Sequence, residues 1–296
     1  MLLAPYLAVL MAMLCVALDQ MGEGQPLRHA LPVSPHSVFW YGVLFGLPHI
    51  LASFVSLRHQ GYLAHYRRPL LISVVQAVMA LATMLALLPF WLGMLVFLVL
   101  TARHTIGQQA GLSRSYMRVP TRLYAWWRAC VSSGVCGLSV VVYFYGATEP
   151  PWFLTVLHQA VMGLLLASTI LAVLIAQVQG RHWRGAMLLM CTQVMVVSCA
   201  VFVSLGYPLL AYAVPQLVHD ITAFTVYGAH ERAGGRTLWA RTAWWALPVV
   251  AVLSAWCLTV VQLGWLALGL SLTHYFFEGA AWRGGSMHRQ RVSFAS

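Results

Sequence analysis

Six carboxylates occur in 296 residues, and three of them neighbour a histidine inside or beside strongly apolar sequence. Asp220 follows His219, Glu231 follows His230, and Glu278 lies one helical turn after His274. Ionisable groups are costly to desolvate in a bilayer, so those that persist there are functional candidates. Imidazole with carboxylate is also a ligand set that suits iron, zinc or manganese. The pattern points to a metal site within an apolar helical bundle.

The elements that must position these groups follow from composition. Hydrophobic residues make up 61% of the chain and charged residues 8%, far more apolar surface than one soluble core can hide. The fold class expected is all-α, a polytopic transmembrane helical bundle forming one domain over residues 1–296. All 17 basic residues are arginine, and they fall in short loops between apolar runs. That placement argues for membrane topology and against a nucleic-acid partner. The six cysteines form no CxxC pair, which excludes a zinc knuckle and a redox dithiol.

About 20 apolar residues cross a bilayer, and on that measure the chain offers about ten spans. They are 2–18, 38–57, 70–88, 90–108, 125–146, 153–177, 186–205, 208–230, 243–261 and 264–282. The first run lacks a basic start and a small-residue cleavage site, so it reads as a membrane helix rather than a signal peptide. With both termini cytoplasmic, the inner loops and tail collect all the arginines except Arg28, outside, and Arg128, just within a span. The outer loops hold Asp19, Glu23 and Glu149. This alternation is the positive-inside rule, and a wrong span count would destroy it. The expected location is an integral protein of a bacterial inner membrane.

Topology then gives the histidines a depth. His49, His219 and His274 lie within spans, roughly 12–17 Å from the inner face at 1.5 Å per residue. His104 and His230 lie at inner span ends, and His59 and His65 in the first inner loop. His219 and His230, eleven residues apart, stand about 16 Å apart along one helix and cannot share a single ion. The expected inner metal constellation is therefore His49, His104, His219 and His274 with Asp220 or Glu278. A shallower set comprises His59, His65, His230 and Glu231. His36 and His158 read as hydrogen-bonding bundle residues, and the tryptophans at span ends as interface anchors.

Polytopic helices with histidines gathered on the cytoplasmic side resemble the membrane desaturases and hydroxylases, which oxidise lipids at a non-haem di-iron centre. The HxxHH-type boxes of those enzymes have no counterpart, since His59 and His65 are six residues apart. Gly46-Leu47-Pro48-His49 also resembles the GxPHG stretch of the bacterial Brp/Blh carotene dioxygenases, with Ile50 in place of the last glycine. These resemblances imply a membrane iron enzyme acting on a hydrophobic substrate.

The function expected is a metal-dependent membrane enzyme, with oxygen-dependent oxidation of a lipid-like substrate at non-haem iron. Zinc is the other cofactor the ligands suit, and would direct the site to hydrolysis. An oxidase would need an external electron donor, because no dinucleotide fingerprint or Walker loop occurs. Two other classes use the same residues. A proton-coupled transporter would relay protons through His219, Asp220, His274 and Glu278. A haem-binding electron-transfer protein would use His49 and His274 as facing ligands.

Overall fold

The computed structural model describes residues 2–32, 46–47, 49–117, 121–145, 151–179, 183–233, 249, 253, 264–283 and 286–291. Among these residues every regular element is helical. Chain order is α1 (Leu7–Met21), α2 (Pro26–Ala30), α3 (residues 49–56), α4 (Tyr62–Ala82), α5 (Phe90–Ser115), α6 (Thr121–Tyr143), α7 (Phe153–Gln179), α8 (Trp183–Leu205), α9 (Pro208–Ala233), α10 (Gly264–Ala281) and α11 (Met287–Arg291).

Seven helical segments are long and apolar enough to cross a membrane: Ala4–Met21, Tyr62–Leu87, Phe90–Ser115, Arg122–Tyr143, Phe153–Gln179, Trp183–Leu205 and Pro208–Glu231. Each corresponds to one expected span, and the chain is an integral membrane protein of helical class. The expected run 264–282 forms α10, but His274 and Glu278 lower its hydropathy and it falls outside the seven. The run 243–261 lies outside the described residues except Val249 and Leu253, and 38–57 is described only from residue 46, without Pro48. Two boundaries differ from expectation. Helix α4 begins at Tyr62 and carries Pro69 inside it, where a loop was expected. Proline removes one backbone bond, and a helix can absorb that loss when its other bonds continue. Helix α5 likewise continues past residue 108 to Ser115.

Contacts group the chain into two compact units, Met1–Phe39 with Leu95–His219, and Trp40–Met94 with Asp220–Ser296. In the first, α8 is the central helix, with 67% of its apolar window buried. Its Thr192 and Gln193 side chains are tied to neighbouring helices, as a lipid-immersed bundle favours. Tyr6 donates to Gln109 Oε1 (2.9 Å) and pairs with Thr192 Oγ1 (2.7 Å). Trp127 Nε1 donates to Gln193 Oε1, whose amide nitrogen donates to Ser168 and Thr169. At one end, Asp19 accepts from the amides of Leu27 and Arg28 and from Tyr207. Gly206 holds φ +92° beside the Arg28 guanidinium, where both the backbone angle and the space exclude a side chain.

Helices α6 and α7 approach closely through Gly134 and Gly137. A Cβ on Gly137 would stand 2.6 Å from Val161 Cγ2, and one on Gly134 2.9 Å from Leu165 Cδ2. Gly137→Leu should therefore wedge the pair apart at about 1–3 kcal/mol. Gly163→Leu, with nothing within 4 Å of its Cβ, is the control. Thermal unfolding in detergent checks this: equal midpoints for the two variants would refute the close packing.

In the second unit α4 packs on α10, with Tyr66 edge-on to Phe277 at 5.6 Å. Leu57, Tyr62, Tyr66, Phe277 and Ala281 form its buried cluster. Gly61, at φ +79°, supplies the left-handed residue that turns the chain into α4. Leu71, Ile72, Val75, Val78 and Met79 leave an apolar face of α4 exposed, suited to lipid.

Candidate functional site

Helical spacing gathers the polar side chains of the second unit. On α3, His49, Ser53 and Ser56 recur at i, i+4 and i+7, one helix face. On α9, Asp220, Tyr227 and Glu231 share a face at i, i+7 and i+11, and His274 and Glu278 of α10, with Trp282 just after it, recur every four residues. His49, Asp220, His274 and Glu278 are all buried, His274 completely.

These four residues meet in an inner cluster. His49 Nδ1 lies 2.8 Å from Asp220 Oδ1. His274 Nδ1 lies 2.8 Å from Ser53 Oγ, and that hydroxyl donates to the carbonyl of Ile50 at 2.7 Å. A serine has one hydrogen to give, so Ser53 accepts from His274 Nδ1–H. Asp220 Oδ1 faces His49 Nδ1 outside hydrogen-bond geometry, and its charge favours a proton on that nitrogen. With the His49 proton on Nδ1, both rings turn the lone pair of Nε2 towards each other, and the two Nε2 atoms stand 3.1 Å apart. Two lone pairs at that distance repel unless a cation, proton or metal, lies between them.

The separation also fits two ligands on one ion. Metal–nitrogen bonds of about 2.0–2.1 Å at angles near 90–109° put the nitrogens about 2.9–3.4 Å apart. Histidine ligands are characteristically held through their other nitrogen by a carboxylate, hydroxyl or carbonyl, as Asp220 and Ser53 do here. Glu278 Oε2 lies 3.5 Å from His274 Nε2, while its Oε1 accepts from Tyr227 at 2.7 Å. Trp282 Nε1 donates to the same Tyr227 oxygen at 3.1 Å.

An outer cluster lies in the same unit. Glu231 Oε1 faces His59 Nε2 at 2.8 Å and His230 Nδ1 at 3.8 Å, while Arg58 holds Oε2 at 3.1 Å. The His230 ring stacks on His288 (4.9 Å, 19°), and Ser56 Oγ lies 2.7 Å from His288 Nε2. Tyr62 and Tyr66 complete the surroundings, Tyr66 accepting from the His288 amide.

Of the inner constellation expected from sequence, the four members that belong to this unit meet here. The other two, His104 and His219, pair edge-to-face in the first unit with ring centroids 5.1 Å apart. One turn away, Thr105 donates to Gln216, and both line a small cavity with Thr101, Ser139 and Tyr212. Of the shallower set, His59, His230 and Glu231 come together. His65 is exposed and packs against Tyr66. Consecutive helical residues diverge by about 100°, which turns His65 from the face that Tyr66 presents inward.

Adjacency in sequence proves a poor guide to partnership. Asp220 contacts His49, and Glu231 contacts His59 most closely, although each follows a histidine. Neighbouring residues on a helix point apart, whereas i,i+4 residues such as His274 and Glu278 face each other. Sequence reasoning missed Ser53, Ser56, Tyr62, Tyr227 and His288. The i+4 and i+7 spacing of the serines from His49 was the available signal; His288, between arginines in an apparent tail, offered none.

The chain matches no family model, no curated protein and no solved structure.

Proposed function

We propose that the protein is a membrane-embedded metal-dependent oxidoreductase whose centre is held by His49 and His274. The observation that carries this reading is the pair of Nε2 atoms 3.1 Å apart, with Ser53 holding the His274 ring through Nδ1 and Asp220 facing Nδ1 of His49. Glu278 is the carboxylate nearest that pair, and its bond to Tyr227 orients it. Histidine with carboxylate suits non-haem iron, which would supply oxygen activation when bound. The residues of this chain hold the ion, fix the tautomers and exclude bulk water. The substrate is a hydrophobic or lipid-like molecule arriving from the bilayer, and the electron donor is external. Ten spans with both termini inside, in a bacterial inner membrane, complete the proposal.

Metal analysis and optical spectroscopy of the purified full-length protein test it. About one iron per inner site, with oxygen consumed when a reductant is supplied, is the expected result. Zinc in place of iron would redirect the site to hydrolysis, and a metal-free folded protein would end the metalloenzyme reading.

A second reading draws on a different observation. Ionisable and hydroxyl groups follow one another by contact through the second unit, from the partly exposed Arg58 to Glu231, His59, His230 and His288, then by Ser56 and Ser53 to His274, His49 and Asp220. Such a column suits proton movement, and it supports a proton-coupled carrier. Uptake coupled to pH in proteoliposomes is its test. The haem reading is not carried forward. The His49 and His274 nitrogens, 3.1 Å apart, do not fit a haem iron held between them.

A further inference from the structure

The outer cluster plays no part in the metalloenzyme reading, yet it is built to the same chemistry. One ligand atom from each of His59, His230 and Glu231 falls within 4.8 Å of the other two, and all three residues are buried. Two imidazoles and one carboxylate are a common three-ligand set for zinc and for other divalent ions.

The proton positions decide what each ring presents. Tyr62 Oη lies 3.2 Å from the Met287 carbonyl and 3.1 Å from His230 Nε2. A carbonyl can only accept, so the one phenolic hydrogen goes to Met287. Tyr62 must then accept from His230 Nε2–H, which leaves the lone pair of His230 on Nδ1, the atom 3.8 Å from Glu231 Oε1. Met287 and His288 belong to α11. The stacking of His288 on His230 and the Tyr62–Met287 bond together hold that ring in place.

Glu231 is divided between two roles. Its Oε2 takes the Arg58 guanidinium, while Oε1 is turned to both histidines. Arg58 is 42% exposed at the side chain, so the cluster adjoins the surface of its unit.

We propose that His59, His230 and Glu231 form a second cation site, for zinc or a similar divalent ion, with His230 set in its ligand form by Tyr62 and the C-terminal helix α11. On binding, the His59 Nε2 proton leaves for Nδ1 or for water, and Nε2 becomes a ligand. Tyr62 and His288 are positioning residues. The proposal does not depend on the inner pair being a metal centre.

Cobalt(II) titration of chelator-stripped, full-length protein in detergent tests it, because ligand-field bands report coordination directly. His274→Ala should still bind one equivalent, and adding Glu231→Gln should abolish that binding. Arg58→Ala removes the competing cation and should tighten binding by about tenfold or more. Tyr62→Phe frees the His230 tautomer and should weaken binding by about tenfold. An equivalent kept by His274→Ala and lost in Glu231→Gln supports the outer site even if the inner one binds nothing. No cobalt bound by folded His274→Ala protein overturns it. Because Glu231→Gln can itself unsettle the fold, the surface change Arg58→Ala is the second arbiter: unchanged or weaker affinity there also overturns the proposal.

Discussion

Replacing His274 with alanine should strip the inner metal from the protein. Losing merely the group behind a histidine ligand weakens metal binding about 10–100-fold, so losing the ligand itself should exceed about 100-fold. His49→Ala should do the same, because each ring contributes one of the two facing Nε2 atoms. Elemental analysis of wild type and both variants, purified in parallel, reads the effect. Helical circular dichroism and a monodisperse elution profile establish that the variants are folded. Inner-site metal retained at the wild-type level in either variant would contradict the assignment of that histidine.

The second large effect is expected at Asp220, which touches no ion in this reading. Its carboxylate stands 2.8 Å from His49 Nδ1, where its charge favours the tautomer that leaves Nε2 free to bind. Asp220→Asn keeps an acceptor oxygen but loses the charge, and should weaken metal affinity about 10-fold. Asp220→Ala loses both and should approach about 100-fold. Competition with a chromophoric chelator measures the two affinities. Equal affinity in wild type and Asp220→Ala would show that Asp220 does not orient the ligand. The same pair of variants separates the two functional readings. A proton-coupled carrier would lose pH-driven uptake in Asp220→Asn while its metal content stayed unchanged.

The helical class and seven spans were legible because lipid imposes them through simple quantities, the length of an apolar run and the placement of arginine. Site membership was legible for a related reason. A buried His49, Asp220, His274 or Glu278 stands out against apolar neighbours, and depth along each span brought them to similar levels. Partnership was not legible. His49 meets Asp220 across 171 positions of chain, and helix rotation rather than sequence proximity decides which carboxylate it finds. The tail showed the opposite failure. Arg289 and Arg291 follow a histidine that reads as solvated, yet His288 is completely buried, held by Ser56, Tyr66 and the ring of His230.

The Tyr6 hydroxyl joins Gln109 and Thr192, partners 103 and 186 positions further along the chain. Those distances set an order of assembly. At about 5–20 residues per second of synthesis, Thr192 follows Tyr6 by about 10–40 s. Throughout that interval α1 must wait in the bilayer without the helix it finally packs against. It can do so because no ionised side chain interrupts it before Asp19. Helices α6 and α7, adjacent in sequence and fitted through Gly134 and Gly137, can pair as soon as both have emerged. Helix α8 then joins that pair, and α1, the first helix made, is among the last to be fastened.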